Sequence, residues 1–387
     1  MRVVLVHDWL TGMRGGERVL ERLCALFPEA PIFTLVWKRG SITASIEAHP
    51  IHVSFLQLLP DAARRYRWYL PLFPAAIESM RLPPADAVIS SSHAVAKGIR
   101  VPPGTFHLSY IHTPMRYVWE LQAQYFPPGK FPWPLSTAVD LTCARLRRWD
   151  VRTSVGPDAL VANSAHVAAR IARHYRREAA VVHPPVALGR LSVGSGARDY
   201  FLVAGALAPY KRADLALEAC QRLGLRLVVA GSGQDEAGLR RLAAPGIEFR
   251  GWVDEAELAG LYAGARALLF PGEEDFGIVP LEAMACGCPV VAYGRGGALE
   301  TVGRGLDRES RAALERGGVV RSPGGILFGT QSVEGLSAAL AEFERQTFDA
   351  QALRALAKPF DEPEFDRAFR QVFDREYRFW QARGGGR

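Results

Sequence analysis

Residues 267–300 read ALLFPGEEDFGIVPLEAMACGCPVVAYGRGGALE, a pattern that predicts a strand, a loop, a short helix and a second strand. An apolar run forms the first strand and a Pro/Gly break ends it. Pro280 suits the first turn of the helix, and Gly287 suits its end. Two acidic residues, Glu274 and Glu282, frame the loop and the helix start.

The start of this helix is suited to an anion. The first backbone amides of a helix have no partners inside it, and the helix dipole favours negative charge there. Acidic residues near a helix start are also common without any ligand, because they complement the dipole. Two carboxylates flanking such amides suit a ligand that is part phosphate and part polyol, such as a nucleotide sugar. The amides expected to face the phosphate are those of Phe276, Gly277, Ile278 and Val279.

Length and composition predict two domains. The 387 residues are 49% hydrophobic and 22% charged, enough for two separate cores. No run approaches eighteen apolar residues, and the N-terminus reads as a buried strand rather than a signal peptide, so we expect a cytoplasmic protein. The five cysteines form no Cys-x-x-Cys pair, which disfavours a disulfide framework or a cysteine metal site.

The positive charge is concentrated in the N-terminal half. Residues 1–190 contain 23 Lys and Arg against 13 Asp and Glu, whereas residues 191–387 contain 24 against 27. A basic domain could face nucleic acid, an anionic membrane or an anionic substrate such as a lipid-linked diphosphate. Residues 62–80 interleave arginine with aromatic side chains, which suits a membrane interface or simply the cover of a core. A second basic cluster supports the membrane interpretation: Arg145, Arg147, Arg148 and Trp149.

Two features of the N-terminal half indicate a ligand. A predicted strand is followed by Gly15 and Gly16 at a helix start, where paired glycines allow the backbone to approach a phosphate or merely form a turn. His112 follows another predicted strand, at the sheet edge where open α/β folds bind ligands. A single histidine is more often structural, so neither feature decides the function alone.

The C-terminal half begins with a predicted strand, a glycine loop at Gly205, and the cations Lys211 and Arg212. A cation after such a loop suits a diphosphate leaving group, because charge builds on it as a bond breaks. The next strand is followed by Gly231 and Gly233. A dinucleotide fingerprint would also need glycine at position 236, where Glu236 stands, so a dehydrogenase is disfavoured.

These motifs resemble the family 4 retaining glycosyltransferases, which have the GT-B fold. The resemblance rests on the two glutamates separated by seven residues, on HDWLTGMRGGE at 7–17, on YIHTPMRYVWE at 110–120 and on PYKR at 209–212. It spans nearly the whole chain. The motifs look most like bacterial mannosyltransferases that build O-antigen or exopolysaccharide on a lipid carrier.

The resemblance implies an α/β fold with two Rossmann-like, doubly wound domains facing a central cleft. It implies an acceptor-binding domain over 1–187, a linker over 188–199, and a donor-binding domain over 200–365. The last helix, 366–387, is expected to pack back on the N-terminal domain.

The resemblance also assigns residue roles. Lys211 and Arg212 would hold the diphosphate, Glu274 the sugar hydroxyls and Glu282 the ribose. An arginine often follows the first loop glycine in this family, but Ala206 stands there, so Arg212 or backbone amides must compensate. The implied catalytic residues are His112, Lys211 and Glu274. The other implied contacts are Gly15, Gly16, Gly205, Gly231, Gly233, Trp252 and Val253 for the donor, and His112, Arg116 and Tyr117 for the acceptor.

The chain contains no Asp-x-Asp motif, so the expected reaction is independent of metal, and no cofactor is expected. The expected donor is GDP-mannose, and the expected acceptor is a hydroxyl of a lipid-linked molecule or polysaccharide. Peripheral contact with the inner membrane is a further implied partner, whereas nucleic acid is not. The alternatives are a UDP- or ADP-sugar donor, a nucleotide-sugar epimerase or phosphorylase of the same fold, and a basic nucleic-acid-binding protein.

Overall fold

The structure is a computed structural model that describes residues 1–127, 129, 132–194, 196 and 198–385. The chain divides into two compact units, an N-terminal unit of residues 1–185 with 363–387 and a C-terminal unit of residues 186–362. The segment predicted as the linker, 188–199, falls in the C-terminal unit. Two of its residues, Ser195 and Ala197, lie outside the described residues, as do Gly386 and Arg387 at the end of the predicted last helix.

The N-terminal unit is built on a parallel sheet with the strand order β3-β2-β1-β4-β5-β6-β7. Its central strands are buried along their whole length, as expected where helices cover both faces of a parallel sheet. The strands are β1 (Val3–His7), β2 (Ile32–Thr34), β3 (Ile51–Val53), β4 (Ala87–Ser92), β5 (Phe106–Ile111), β6 (Ala159–Ala162) and β7 (Ala180–Val181). The helices are α1 (Gly15–Leu26), α2 (Ala44–Glu47), α3 (Ala62–Arg65), α4 (Phe73–Ser79), α5 (Gln122–Tyr125), α6 (Leu135–Thr153) and α7 (Ala165–Tyr175).

The register of this sheet positions the N-terminal candidate residues. His7 at the end of β1 is paired with Ser91 of β4, and Ser92 is paired with Ile111 at the end of β5. Because parallel strands end at the same sheet edge, His112 emerges beside the ends of β1 and β4. Helix α1 begins with Gly15 immediately after the β1 loop.

The C-terminal unit has a second sheet with the order β10-β9-β8-β11-β12-β14-β13, parallel except for the β13–β14 pair. Its strands are β8 (Tyr200–Ala204), β9 (Leu227–Ala230), β10 (Ile247–Gly251), β11 (Ala265–Phe270), β12 (Val290–Tyr293), β13 (Val319–Ser322) and β14 (Gly325–Phe328). Its helices are α8 (Ala213–Leu223), α9 (Glu236–Leu242), α10 (Glu255–Gly264), α11 (Ile278–Ala285), α12 (Arg308–Glu315), α13 (Val333–Phe343) and α14 (Ala350–Ala357).

The segment 267–300 folds as its pattern predicts, with β11, a loop, α11 and β12 in order. Helix α11 is apolar on most sides and buries Leu281 and Met284 in the core, so it is an internal helix. It begins after Gly277, whose φ of +94° lies in the left-handed region that glycine adopts without strain. Gly287, predicted to stop this helix, also has a positive φ, of +73°.

The last helix, α15 (Glu362–Ala382), starts four residues before the predicted position. It carries Phe365, Phe369 and Phe373 at a spacing of four residues, and all three are buried in the core of the N-terminal unit with Leu5 and Phe106. Among the residues that the structure describes, no helix combines the length and apolar character needed to cross a bilayer.

Candidate functional site

In the C-terminal unit, Lys211 lies against Glu274. The lysine Nζ is 2.7 Å from Glu274 Oε1, and both side chains are less than one-fifth exposed. The contact is an ion pair without hydrogen-bond alignment, because Glu274 Oε1 is a buried acceptor that receives no hydrogen bond among the described residues. Lys211 ends a short 3-10 helix after the β8 loop, whereas Glu274 lies in the loop after β11.

The same ammonium lies over Gly205. A methyl group built on Gly205 would be 3.4 Å from Lys211 Nζ and 3.9 Å from Val279 Cγ2, at the start of α11. The structure therefore brings Gly205, Lys211, Glu274 and Val279 together. A glycine loop, a cation, a carboxylate and a helix N-terminus are the groups that a sugar diphosphate requires.

The glycines Gly231 and Gly233 serve backbone packing. A methyl group on Gly231 would lie 1.8 Å from the carbonyl oxygen of Gly205, and one on Gly233 would lie 2.1 Å from that of Leu207. The backbone amides of Gly205 and Leu207 donate to Ala230 and Ser232 at 2.9 and 3.0 Å. These glycines therefore support the shape of the Gly205 loop, in addition to the donor contacts that the sequence predicts for them.

A second glycine pair supports the glutamate loop. Methyl groups on Gly296 and Gly297 would lie 2.4 Å from the Glu274 carbonyl oxygen and 2.2 Å from the Phe276 backbone. The amide of Gly297 donates to the Glu274 carbonyl at 2.8 Å. The 274–276 backbone is consequently fixed from behind, with Phe276 buried against Phe360.

Arg212, predicted to supply a second positive charge, is held by a neighbour. Its Nε lies 3.0 Å from Asp214 Oδ1, and its Nη2 lies 2.9 Å from Asp214 Oδ2. This forked pairing neutralises the guanidinium at the start of α8. Lys211 is therefore the cation on this loop that the structure directs towards Glu274.

Glu282 has a partner that the sequence did not suggest. The hydroxyl of Tyr262, on α10, donates to Glu282 Oε2 at 3.0 Å. Tyr262 is buried, and burial together with the nearby carboxylate raises its pKa well above the usual value. The tyrosine fixes one oxygen of Glu282, and no local sequence signal links the two positions.

The two residues predicted to border the base differ in exposure. Trp252 is 77% exposed, whereas Val253 is half-buried against the core. Both follow Gly251, whose carbonyl oxygen accepts from the amide of Gly231 at 2.6 Å. The end of β10 is thus attached to the loop that supports Gly205.

In the N-terminal unit, His112 belongs to a cluster of histidines. Its Nε2 lies 2.8 Å from Ser91 Oγ, which in turn lies 3.1 Å from His7 Nδ1. The ring centroid of His93 lies 6.1 Å from that of His112. Burial, followed by the charges of His93 and His7, lowers the pKa of His112 well below its ordinary value. His112 is therefore a neutral imidazole at neutral pH.

Asp8 organises the loop beside this cluster. Its two carboxylate oxygens accept four backbone amides at 2.6–2.9 Å, those of residues 93–96. Its Oδ2 also lies 3.2 Å from His93 Nδ1. Because Asp8 is fully buried, this pattern makes it a structural anchor for the loop after β4.

The neighbouring Lys97 is structural too. Its ammonium pairs with Asp150 in the interior, and Asp150 also accepts from Trp119 Nε1 at 2.8 Å and from the Tyr175 hydroxyl at 2.9 Å. A methyl group on Gly98 would lie 2.4 Å from the Trp149 ring. Packing therefore accounts for both Lys97 and Gly98.

The predicted acceptor residues Arg116 and Tyr117 follow His112 and are half-buried. The Tyr117 hydroxyl is a buried polar atom without a hydrogen-bond partner among the described residues, and burial raises the Tyr117 pKa well above its usual value.

Glu120, at the end of the segment, pairs with Arg170 and with His174 Nε2 on α7. These ion pairs hold the segment that follows His112 against helix α7.

Gly16 lies next to His112, while Gly15 opens α1 before it. A methyl group on Gly16 would be 3.5 Å from His7 Cε1 and 3.7 Å from His112 Nε2, which are ordinary contact distances. We expect Gly16→Ala to keep or raise stability by about 0.5–1 kcal/mol, because alanine is the better helix residue. The same methyl group fills space beside His112, and we expect about a tenfold loss of catalytic rate. Urea unfolding and initial rates measure the two effects.

A matched control is Gly238→Ala in α9, where a methyl group meets nothing within 4 Å. This variant should gain stability and keep its catalytic rate. Full activity of Gly16→Ala would contradict a ligand site beside His112.

Residues 198–343 match the model of a family described as Glycosyl transferases group 1. This segment includes Gly205, Lys211, Glu274 and Glu282, the residues of the candidate donor site.

Several curated proteins are similar over part of the chain. The D-inositol 3-phosphate glycosyltransferase of Streptomyces scabiei is 35% identical over 175 residues, which is 36% of this chain and 39% of that protein. The glycogen synthase of Thermus thermophilus is 35% identical over 178 residues, 44% of this chain and 37% of that protein. The chain thus spans about two-fifths of the length of the first curated relatives that it matches.

Solved structures are similar over nearly the whole chain. Sucrose-phosphate synthase from Thermosynechococcus elongatus aligns with a TM-score of 0.70 and 16% identity, covering 97% of this chain and 99% of its own. Anabaena HepE in complex with UDP aligns with a TM-score of 0.64 and 14% identity, covering 97% and 100%. At such identities the likeness shows the fold, and it confirms the predicted GT-B class. The chain therefore has the GT-B fold of two Rossmann-like domains, and its C-terminal unit contains a segment similar to glycosyl transferases group 1.

Proposed function

We propose that the protein transfers a sugar from a nucleoside diphosphate to a hydroxyl group, without a metal and with retention at the sugar carbon. The observation that carries this proposal is the contact between Lys211 and Glu274 beside Gly205 and the start of α11. It is supported by the glycosyl transferases group 1 match over the same residues. The sequence resemblance supports retention and metal independence.

The donor diphosphate would lie between the Gly205 loop and the start of α11. Backbone amides and the dipole of α11 favour the phosphates, and Lys211 neutralises the charge that builds as the sugar bond breaks. Once Lys211 contacts phosphate, Glu274 is free to accept from sugar hydroxyls. Glu282, which accepts a hydrogen bond from Tyr262, would also accept hydrogen bonds from the ribose hydroxyls.

The N-terminal unit would provide the acceptor side. His112 is neutral, partly exposed and next to Gly16, so it suits contact with a sugar hydroxyl. Arg116 and Tyr117 would contact the acceptor, for which we propose a lipid-linked molecule or a polysaccharide. The leaving diphosphate itself would take the acceptor proton.

The donor is tested by calorimetric titration with GDP-mannose, UDP-glucose, UDP-N-acetylglucosamine and ADP-glucose, with EDTA present. The sequence motifs favour GDP-mannose, whereas HepE was solved with UDP and with UDP-glucose. We expect selective binding of GDP-mannose. Binding of another donor would overturn the mannose assignment only, and binding of none would overturn the proposed function.

We also propose peripheral contact with an anionic membrane through the N-terminal unit. Helix α6 and the residues around the start of α4 line an open groove of about 550 Å³, whose walls include Arg145, Arg148 and Arg152. Close in sequence to the groove residues Pro71 and Thr142, Trp68 is 75% exposed and Leu141 is 55% exposed. Exposed aromatic and aliphatic groups next to arginines suit the headgroup region of a bilayer.

Vesicle co-sedimentation tests this contact. Each basic residue near an anionic surface contributes about 1 kcal/mol, so Arg145→Gln with Arg148→Gln should weaken binding to phosphatidylglycerol vesicles about 10- to 30-fold. The control pair Arg222→Gln with Arg226→Gln removes equal charge from the exposed surface of the other unit and should bind normally. Equal loss in both pairs would indicate net charge alone and contradict a site at the groove.

A further inference from the structure

A chain of polar groups runs behind His112 into the N-terminal unit. Ser91 Oγ lies 2.8 Å from His112 Nε2 and 3.1 Å from His7 Nδ1. On the far side of His7, its Nε2 lies 3.8 Å from Glu17 Oε1. His7 and Ser91 are 0% exposed and Glu17 is 2% exposed. A carboxylate, an imidazole, a hydroxyl and a second imidazole thus follow one another in the interior.

The number of protons in this series of polar groups decides which of them donate hydrogen bonds and which accept them. A serine hydroxyl carries one proton, so Ser91 donates to one imidazole and accepts from the other. His7 Nε2 is buried and makes no hydrogen bond among the described residues, but it faces the Glu17 carboxylate. A negative charge at that distance favours an N–H over a lone pair on His7 Nε2.

The charge of Glu17 is supported by its surroundings. Burial acts to raise the Glu17 pKa, but the neighbouring imidazoles of His7 and His93 and a backbone hydrogen bond outweigh it, so the net shift is downward. With an ionised Glu17, His7 Nδ1 is the acceptor. Ser91 then donates to His7 and accepts from His112.

We propose that Glu17, His7 and Ser91 hold His112 in the tautomer that carries its proton on Nε2 and leaves Nδ1 as a hydrogen-bond acceptor. His112 Nδ1 has no hydrogen-bond partner among the described residues, and the residue is partly exposed. The three supporting residues act through His112, so they are positioning residues. The use of Nδ1 to accept from a sugar hydroxyl rests on the proposed function, whereas the tautomer does not.

The tautomer is measured directly by two-bond nitrogen–proton correlation on the full chain with labelled histidine, at about pH 8, where ordinary histidines are neutral. His112→Gln assigns the signals. We expect wild-type His112 to show a protonated Nε2 and a bare Nδ1. Ser91→Ala removes the relay, and Glu17→Gln removes the charge that orients it; both should give a mixture of His112 tautomers.

Glu21→Gln is the matched control. Glu21 is also a carboxylate of α1, but it accepts from Arg18 and Ser45 outside the chain of polar groups, so its loss should leave the His112 signals unchanged. A wild-type proton on His112 Nδ1 would overturn the proposal, even if Ser91→Ala failed to fold. So would an unchanged tautomer in Glu17→Gln.

A kinetic measurement separates this inference from the proposed function. With the donor that the protein binds, we expect Glu17→Gln to lower kcat about tenfold while KM for the donor stays within about twofold, since the donor phosphates are bound elsewhere. If the tautomer changes and kcat does not, the positioning role is overturned. If no donor is turned over by the wild type, the proposed function fails and the tautomer result still stands.

Discussion

We expect Lys211→Met to lower kcat/KM for sugar transfer on the order of 10²-fold or more. The lysine Nζ lies over Gly205 and 2.7 Å from Glu274, where the diphosphate of a donor would develop charge. Methionine keeps the length and packing of the side chain and removes the charge. Initial rates of nucleoside diphosphate release, with the donor identified by titration, give the change.

Two further variants isolate the cause of that loss. Lys211→Met leaves the Glu274 carboxylate in a mostly buried position without its partner, which could itself disturb the loop. Adding Glu274→Gln removes that unpaired charge, so recovery of activity in the double variant would contradict a catalytic role for Lys211. We expect the double variant to stay inactive. Arg222→Met, an exposed cation of the same unit that pairs with Glu218 and Glu334, should be fully active.

Local features of the fold could be predicted from the sequence because their causes are local. The apolar run before Pro271, the proline at 280 and the glycine at 287 each act within a few residues, and the strand, helix and strand of 267–300 form as predicted. The GT-B class came from the resemblance of motifs spread over the chain. Solved structures confirm that class.

Other features depend on pairing between distant segments. Lys211 and Glu274 are 63 positions apart, and their contact follows from the adjacency of β8 and β11. The partnership of His7 with Ser91 follows from the β1–β4 register, and no local pattern reveals it.

Two groups of predicted donor residues also have contacts within the protein. Asp214 stands two positions after Arg212 at the start of a helix, so the pairing of the two could have been anticipated from the sequence. The sequence predicts donor contacts for Gly231 and Gly233. Their close backbone approaches are a second reason for glycine, which depends on how loops pack and cannot be seen in one sequence.

Two substitutions of Glu282 separate its structural role from its role in ligand binding. We expect Glu282→Gln to weaken donor binding on the order of 10- to 100-fold, because a neutral amide replaces the carboxylate that would accept from the ribose. Its amide oxygen can still accept from the Tyr262 hydroxyl, so the fold should be retained. Glu282→Ala leaves that buried hydroxyl unpaired and should cost about 1–3 kcal/mol in the free energy of unfolding.

Tyr262→Phe tests the same hydrogen bond by removing its donor instead of its acceptor. It removes the hydroxyl and keeps the carboxylate, so donor affinity measured by calorimetry should stay within about threefold of wild type if Glu282 binds the donor directly. If Tyr262→Phe weakened donor binding as much as Glu282→Gln, the carboxylate would act only by holding α10 against α11. A larger effect of Glu282→Gln, with an unchanged unfolding midpoint, is the combination that a direct contact requires. Loss of the hydrogen bond to Tyr262 cannot produce this combination, since the amide of Glu282→Gln preserves that bond.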